Sequence, residues 1–282
     1  MCGIAAIVVG KRARRRVPYP VLRNLARELM SNLEIRGIDA AGIAVINQGG
    51  SDRGAVYKMP IRASRLIARP KFNETLERIT EHTNFVLLHA RSTTVGSNEN
   101  HVDNHPIVAD HIVGIHNGTL VNHDKLEKEL SIPRTGEVDS EIIFRLFQRF
   151  VDSGDTQQAA ICKTTELLEG AFTGAAVDRR YPDKLTMFKH ERPLVLVRLA
   201  FYDIVIAVSE VRIYEWAAKK LNLQVKDEVF NMSEDHGFIF DVGNGDGSAT
   251  PGNVKQFKLP VKKSFSSAGY IIDKRGVRAL VC

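Results

Sequence analysis

The chain has 282 residues, of which 44% are hydrophobic, which is enough for a substantial core. No apolar stretch approaches the ~20 residues that a membrane-spanning helix requires, and no signal-peptide pattern is present, so we expect a cytoplasmic protein without membrane contact. The formal net charge is +6, and the three cysteines are widely spaced and odd in number, which argues against a disulfide framework and a zinc site.

Residues 2–9 form the first predicted element, a buried strand, because the run is short, rich in Ile and Val, and followed by Gly10. Cys2 begins this strand directly after Met1. If Met1 is removed, Cys2 carries both a thiol and a free α-amine, and the amine can accept the thiol proton while the sulfur attacks a carbonyl group. The alternative is that Cys2 is a small residue at an unprocessed terminus.

The strand is followed by the strongest local charge in the chain, a basic run from Lys11 to Arg16. We interpret this run as a solvated loop rather than a contact for nucleic acid or an acidic partner, because no aromatic residues interleave with it. Apolar residues then recur at helical spacing from Val21 to Leu33, which predicts an amphipathic helix ending near Gly37.

Shorter periodic segments continue the pattern. We predict a β-hairpin from residues 41–47 and 55–58, strands at residues 85–91 and 112–116, helices at residues 123–130, 140–151 and 157–168, and strands at residues 171–177, 185–189, 194–199 and 204–209. Runs of strands, then helices, then strands favour an α+β fold over a βαβ nucleotide-binding fold.

The tail has a different composition, with a Gly- and Asn-rich segment at residues 243–248 and a basic remainder. We therefore predict one domain over residues 1–242, and a linker with a short basic C-terminal extension over residues 243–282.

Five polar clusters lie between these elements, each with an ordinary structural interpretation. Asn117-Gly118 is a common hairpin turn pair, Asp139 is a plausible helix N-cap with Arg91 as an ion-pair partner, and His105 can hydrogen-bond within a loop. The clusters are RGIDAAG at residues 36–42, HARSTTVG at 89–96, NHP at 104–106, HNGTLVN at 116–122 and VDSE at 138–141.

Together, in this order and behind Cys2-Gly3, the clusters resemble the glutaminase domain of class II glutamine amidotransferases. This family of N-terminal-nucleophile hydrolases includes glucosamine-6-phosphate synthase and amidophosphoribosyltransferase. Its RGxDSAG, HxRxxTxG, HNG and SDTE-like motifs match in sequence from Arg36 to Glu141, and the resemblance extends from Cys2 to about Ser209. It implies a four-layer αββα sandwich of two antiparallel sheets.

The resemblance also implies roles for individual residues. Cys2 would be the nucleophile, and the Asn117 side chain with the Gly118 N–H would stabilise the oxyanion. Arg91 would bind the α-carboxylate of L-glutamine and Asp139 its α-ammonium group. Thr94 and His105 would complete the glutamine site, with Arg36 supporting it, and neither a metal nor a cofactor is implied.

Three positions depart from the family pattern. Ser92 replaces a frequent aromatic residue of the glutamine lid, Val95 replaces a His of the aminosugar synthases, and Ala40 replaces a Ser. None is the nucleophile, an oxyanion donor or part of the glutamine clamp, so the hydrolytic chemistry is expected to persist.

The leading hypothesis is a stand-alone glutaminase subunit that passes ammonia to a separate synthase or ligase, because the residues after Gly243 are too few for an acceptor domain. One alternative is an amidohydrolase that acts on another γ-glutamyl or amide substrate. A second alternative is a catalytically idle binding protein. Homo-oligomerisation is left open.

Overall fold

A computed structural model describes residues 2–49, 54–97, 99–223, 227–244, 249, 253–262, 271–272 and 278–279. Two antiparallel sheets lie face to face with an apolar core between them, and helices cover the outer face of each sheet. The predicted four-layer αββα sandwich is therefore confirmed.

The first sheet is ordered β11-β9-β10-β1-β4-β2-β3 and the second β13-β12-β8-β7-β6-β5, while β14 and β15 form a separate pair. The strands are β1 (Gly3–Val9), β2 (Ala40–Asn47), β3 (Gly54–Met59), β4 (Thr83–Arg91), β5 (Ile107–Ala109), β6 (Ile112–Leu120), β7 (Gly170–Asp178), β8 (Lys184–His190), β9 (Val195–Leu199), β10 (Ile204–Val208), β11 (Asp227–Asn231), β12 (His236–Asp241), β13 (Val254–Lys258), β14 (Ile271–Ile272) and β15 (Arg278–Ala279).

The helices flank these sheets. They are α1 (Ala13–Arg16), α2 (Tyr19–Leu33), α3 (Ala63–Leu66), α4 (Pro70–Glu77), α5 (His123–Leu130), α6 (Ser140–Asp152), α7 (Gln157–Leu167) and α8 (Val211–Lys220). α2 contributes a buried stripe at helical spacing, including Leu22, Leu25 and Leu29, to the core outside the first sheet. α6 contributes a similar stripe outside the second sheet.

Strand alternation decides which side chains enter the space between the sheets. In β1, Ile4, Ala6 and Val8 point into this space, whereas their neighbours pack against the outer helices. The same alternation directs the side chain of Cys2 between the sheets. The side chains that face inward from the other sheet-forming strands include Phe85 and Leu87 of β4, and Val113 and Ile115 of β6. By the same alternation, His89 and Arg91 at the end of β4 and Asn117 of β6 also point between the sheets.

The strands and helices that hydrophobic periodicity predicts agree closely with the structure. The sequence interpretation missed the helices α3, α4 and α8 and the strands β5 and β11 to β15, most of which are short elements that give weak periodic signals. The basic run is not simply a solvated loop. Ala13–Arg16 forms one helical turn in which Ala13 is buried, and Lys11 Nζ donates to the Gly243 carbonyl at 3.0 Å.

Part of the tail joins the second sheet. Val254–Lys258 forms the edge strand β13 and pairs with β12 in antiparallel register. The boundary at Gly243 stays a prediction, and residues 245–248 of the proposed linker lie outside the described residues. No helix among the described residues has the length and apolar character needed to span a membrane.

Candidate active site

Cys2 lies where β1 begins, beside the end of β4. Gly3 is paired with Ala90, so Cys2 lies next to Arg91 and the loop that follows it. The Cys2 Sγ is 3.4 Å from both the backbone N and the carbonyl oxygen of Ser92. Burial raises the pKa of the Cys2 thiol, while the Ser92 N–H and the Arg91 guanidinium act in the opposite direction. A base is therefore needed to generate the thiolate at neutral pH.

Several contacts hold the main chain at Cys2 in place. Ile4 N donates to Ser209 Oγ at 3.0 Å, and Arg36 Nε donates to the Cys2 carbonyl at 3.4 Å. Arg36 is itself paired with Glu210. A Cβ on Gly3 would lie 2.8 Å from Arg36 Cβ and 3.0 Å from Leu33 Cδ2, so the close approach of the C-terminal end of α2 and the residues after it to β1 requires glycine. These contacts support the assignment of Arg36 to a structural role.

Asn117 and Gly118 lie within β6 and do not form a hairpin turn. They are paired with Thr173 and Phe172 of β7, because the ladder between these strands continues to Leu120. Asn117 is 1% exposed and its Nδ2 has no hydrogen-bond partner among the described residues. Gly118 has a φ of +155°, and a Cβ there would lie 2.0 Å from the Ala171 carbonyl oxygen.

The part of β6 beyond its pairing with β5 has an open edge that is hydrogen-bonded to β4 and to Asp139. The His116 carbonyl accepts a hydrogen bond from His89 Nε2 at 2.9 Å, and Leu120 N donates to Asp139 Oδ2 at 2.7 Å. Backbone groups alternate along an antiparallel strand, so the Gly118 N–H points to this same edge. An unpartnered side-chain amide and a backbone donor are thus neighbours here, which suits a developing oxyanion.

Asp139 is 2% exposed and immediately precedes α6, at its N-cap position. It makes no side-chain cap bond to that helix. Its carboxylate instead accepts from Leu120 N at 2.7 Å and from Ser140 Oγ at 3.3 Å. Asp139 therefore stands at the N-cap position without capping the helix through its side chain. The predicted ion pair with Arg91 is wrong, because among the described residues no Arg91 nitrogen lies within 4 Å of the carboxylate, although Asp139 is within electrostatic reach of Arg91.

Arg91 organises the loop that follows β4, residues 92–97, which we call the lid loop. Its Nη2 donates to the Val95 carbonyl at 2.6 Å, and its Nη1 donates to the Ser97 carbonyl at 3.2 Å and to Asn104 Oδ1 at 2.8 Å. The Nε–H and one Nη2 hydrogen have no partner among the described residues. Arg91 thus holds the lid loop while retaining donors for a ligand.

Two carboxylates, the half-buried Asp39 and the buried Asp103, fix the same loop from the other side. Asp39 Oδ2 accepts from Thr93 N at 2.7 Å, and Asp103 Oδ2 accepts from Ser97 N at 3.1 Å. Thr94 lies exposed between these anchors. Asp103 also accepts from Glu137 N at 2.7 Å, so it connects the lid loop to the segment before α6.

His105 packs among histidines. Its ring stacks on His89 with the centroids 4.0 Å apart, and neither of its nitrogens has a partner among the described residues. Burial lowers the pKa of His89 to about 3 and that of His116 to about 4, and it holds the pKa of His105 well below its usual value. The three imidazoles are therefore neutral at pH 7, and the described residues contain no three-ligand His, Cys, Asp or Glu group suited to a metal.

The sequence interpretation included the motif histidines but gave no role to His89, Asp103, Ser140 or Ser209. Asp103 and Ser209 lie outside the quoted motifs, and their partners are distant in sequence, so no local signal marks them. Ser140 stands beside Asp139 in a quoted motif, where only its hydrogen bonds reveal what it contacts.

Comparisons with known proteins identify relatives of this chain. The chain is 33% identical over 199 residues, 70% of its length, to glutamine–fructose-6-phosphate aminotransferase (isomerizing) of Escherichia coli strain K12. The match covers 30% of that protein, so the chain spans about a third of the length of the curated relatives it matches. No protein-family model matches the chain.

Two solved structures share the fold. A glutamine phosphoribosylpyrophosphate amidotransferase from Bacillus subtilis, complexed with ADP and GMP, superposes with a TM-score of 0.61 at 18% identity over 91% of this chain and 49% of its own. An allosteric regulatory enzyme of purine biosynthesis gives a TM-score of 0.64 at 15% identity over the same shares of the two chains.

Proposed function

Because this chain is homologous to the glutamine-hydrolysing domain of class II glutamine amidotransferases, we propose that it hydrolyses L-glutamine to glutamate and ammonia through a thioester on Cys2. The single observation that carries this proposal is the buried, unpartnered Asn117 amide on β6, a strand that His89 ties through the His116 carbonyl to β4, the strand beside which Cys2 lies. Asn117 Nδ2 is a buried amide donor without a partner, and such a donor calls for a ligand acceptor.

In this proposal the α-amine of Cys2 takes the thiol proton, and the sulfur attacks the side-chain amide carbon of glutamine. The carbonyl oxygen becomes an oxyanion that accepts hydrogen bonds from Asn117 Nδ2 and the Gly118 N–H. When the C–N bond breaks, the departing nitrogen takes up a proton and leaves as ammonia. Water then attacks the thioester carbon, which releases glutamate and restores the thiol.

Arg91 and Asp139 supply charges suited to an amino-acid head group. The remaining guanidinium donors of Arg91 would bind the α-carboxylate, and each Asp139 oxygen retains a lone pair that can accept from the α-ammonium group. Both residues are buried, so their interactions with a ligand are weakly screened. Thr94 and His105 belong to the lid side of this site.

We further propose that the ammonia passes to an acceptor enzyme on a separate chain. The E. coli relative is named for two substrates, glutamine and fructose-6-phosphate. The 199 matched residues are 30% of that protein. The greater part of that relative therefore lies outside the match.

The test measures glutamate and ammonia release from L-glutamine by the purified chain, alone and with fractionated lysate. The expected result is release that requires Cys2, with a higher rate when an acceptor is present. Hydrolysis of other γ-glutamyl amides at a higher kcat/KM than glutamine would favour a different amidohydrolase. No release under any condition would contradict the enzymatic proposal.

A further inference from the structure

A chain of hydrogen bonds runs from β6 to the carboxylate at the start of α6. His116 Nδ1 lies 2.7 Å from Ser140 Oγ, and Ser140 Oγ donates to Asp139 Oδ1 at 3.3 Å. The other carboxylate oxygen of Asp139 accepts from Leu120 N. All three side chains are buried, each with 2% exposure.

The chemistry of the three groups fixes the direction of this chain. An ionised carboxylate only accepts hydrogen bonds, so the Ser140 hydroxyl hydrogen points to Asp139. The Ser140 oxygen must then accept from His116, which assigns the proton of the neutral imidazole to Nδ1. Burial lowers the pKa of His116 to about 4, which keeps the imidazole neutral at pH 7.

The surroundings leave this arrangement little freedom. Both Asp139 oxygens accept hydrogen bonds, one from Leu120 N and one from Ser140 Oγ. The backbone of His116 is also fixed, because its carbonyl accepts a hydrogen bond from His89 across the sheets. The Asp139 carboxylate influences the pKa of Cys2, which places it within electrostatic reach of the nucleophile. A small rotation of this carboxylate would therefore change the position of a ligand relative to the sulfur.

From this geometry we infer that His116 and Ser140 form a positioning relay that aims the Asp139 carboxylate at the α-ammonium group of the substrate. The inference rests on the proposed glutaminase function and adds two residues to it. His116 and Ser140 do not touch the substrate. They act on substrate selection, because they fix the Asp139 carboxylate, which recognises the α-ammonium group that an amino acid has and a simple amide lacks.

The relay predicts a specific kinetic change. The ammonium group keeps its charge through the reaction, so a misdirected Asp139 weakens substrate binding more than turnover. Ser140→Ala should raise KM for L-glutamine roughly tenfold, as for the loss of one hydrogen bond to a charged group, with little change in kcat. Ser140→Thr, which keeps the hydroxyl, should restore the KM.

The experiment compares L-glutamine with glutaramate, which is glutamine without its α-ammonium group. Kinetic constants for glutamine and the inhibition constant of glutaramate are measured for wild type, Ser140→Ala, Ser140→Thr and His116→Phe, which breaks the relay at its other end. Ser153→Ala is the matched control, because Ser153 follows the opposite end of α6 and bonds only to the Arg149 carbonyl.

The relay requires that Ser140→Ala and His116→Phe weaken glutamine and leave the inhibition constant of glutaramate unchanged. Equal weakening of both compounds, or a fall in kcat at constant KM, would overturn it. If wild type hydrolyses glutamine and the Ser140→Ala KM is unchanged, the relay alone is refuted. If wild type does not hydrolyse glutamine, the proposed function fails and the relay fails with it.

Discussion

His89 and His116 connect the two sheets at the candidate active site, because His89 Nε2 donates to the His116 carbonyl across a distance of 2.9 Å. Since this bond joins β4 to β6, it couples the strand that ends at Arg91 to the strand that carries Asn117. The nucleophile side and the oxyanion side of the site are therefore held in register by a neutral, buried imidazole.

This histidine cluster predicts a pH dependence of stability. The pKa values of His89, His105 and His116 are lowered by burial, so the unfolded chain binds protons that the folded chain does not. The free energy of unfolding should be highest with respect to these histidines above about pH 6.5, the pKa of histidine in the unfolded chain. Below that pH it should fall by up to ~1.4 kcal/mol per pH unit for each histidine. Urea unfolding between neutral and acidic pH measures this slope.

The variant His105→Phe tests which groups cause that slope. It removes one titrating imidazole while keeping a ring to stack on His89. The slope of the free energy of unfolding against pH, below pH 6.5, should therefore decrease by the equivalent of about one bound proton. An unchanged slope would assign the acid sensitivity to groups outside the cluster.

The mature protein is expected to start at Cys2. An amide bond to Met1 would leave Cys2 without the free amine that serves as base, and burial already raises the pKa of the thiol. Intact mass spectrometry should detect the loss of one methionine. A fully active preparation that retains Met1 would contradict the N-terminal-nucleophile mechanism.

Substitution of Cys2 by Ala or Ser should abolish glutamate release with little change in the melting temperature, because the side chain is small. A glutamine-like electrophile such as diazo-oxo-norleucine should label Cys2 alone. Cys162 is half-buried, and burial raises its thiol pKa. Peptide mapping of the labelled protein shows which cysteine is modified. Modification centred on Cys162 would mean that the assignment of Cys2 as the nucleophile is wrong. Cys282 lies outside the described residues.

Asn117→Ala should lower kcat by about 10²- to 10³-fold with a smaller change in KM, because Asn117 would meet charge that develops only in the transition state. Asn122→Ala is the matched control. Its side chain bonds to the Leu167 carbonyl at 2.9 Å and to Glu169 N at 3.0 Å, so its loss should reduce stability and leave kcat per folded molecule unchanged. If Asn117→Ala instead behaves like the control, the oxyanion assignment is wrong.

Arg91→Lys should raise KM for glutamine, because an ammonium group cannot reproduce the planar fork that holds both the lid loop and a carboxylate. The lid loop loses two or more of its anchors to Val95, Ser97 and Asn104, so susceptibility to proteolysis within residues 92–97 should also increase. Steady-state kinetics measures the KM, and limited proteolysis with and without glutamine measures the cleavage. Unchanged KM and unchanged cleavage would show that Arg91 is dispensable.

Much of the architecture was predictable from the sequence, because burial imposes a period on the chain. The apolar run of β1 and the stripe on α2 report which faces are covered, and the order of strands and helices distinguishes an α+β sandwich from a βαβ fold. The motif residues also indicated the chemistry, since a thiol, a guanidinium, a carboxylate and an amide are the groups that amide hydrolysis of an amino acid requires.

Only the tertiary structure decided what each of these groups contacts. Asn117-Gly118 has the local sequence of a turn, but pairing with β7 keeps it in a strand and brings its donors to an open edge. Asp139 has the local sequence of a helix cap, but its partners are Leu120 and Ser140. Sequence periodicity records which face of an element is buried, whereas hydrogen-bond partners depend on register and on how the two sheets meet, and those are settled by residues far apart in the chain.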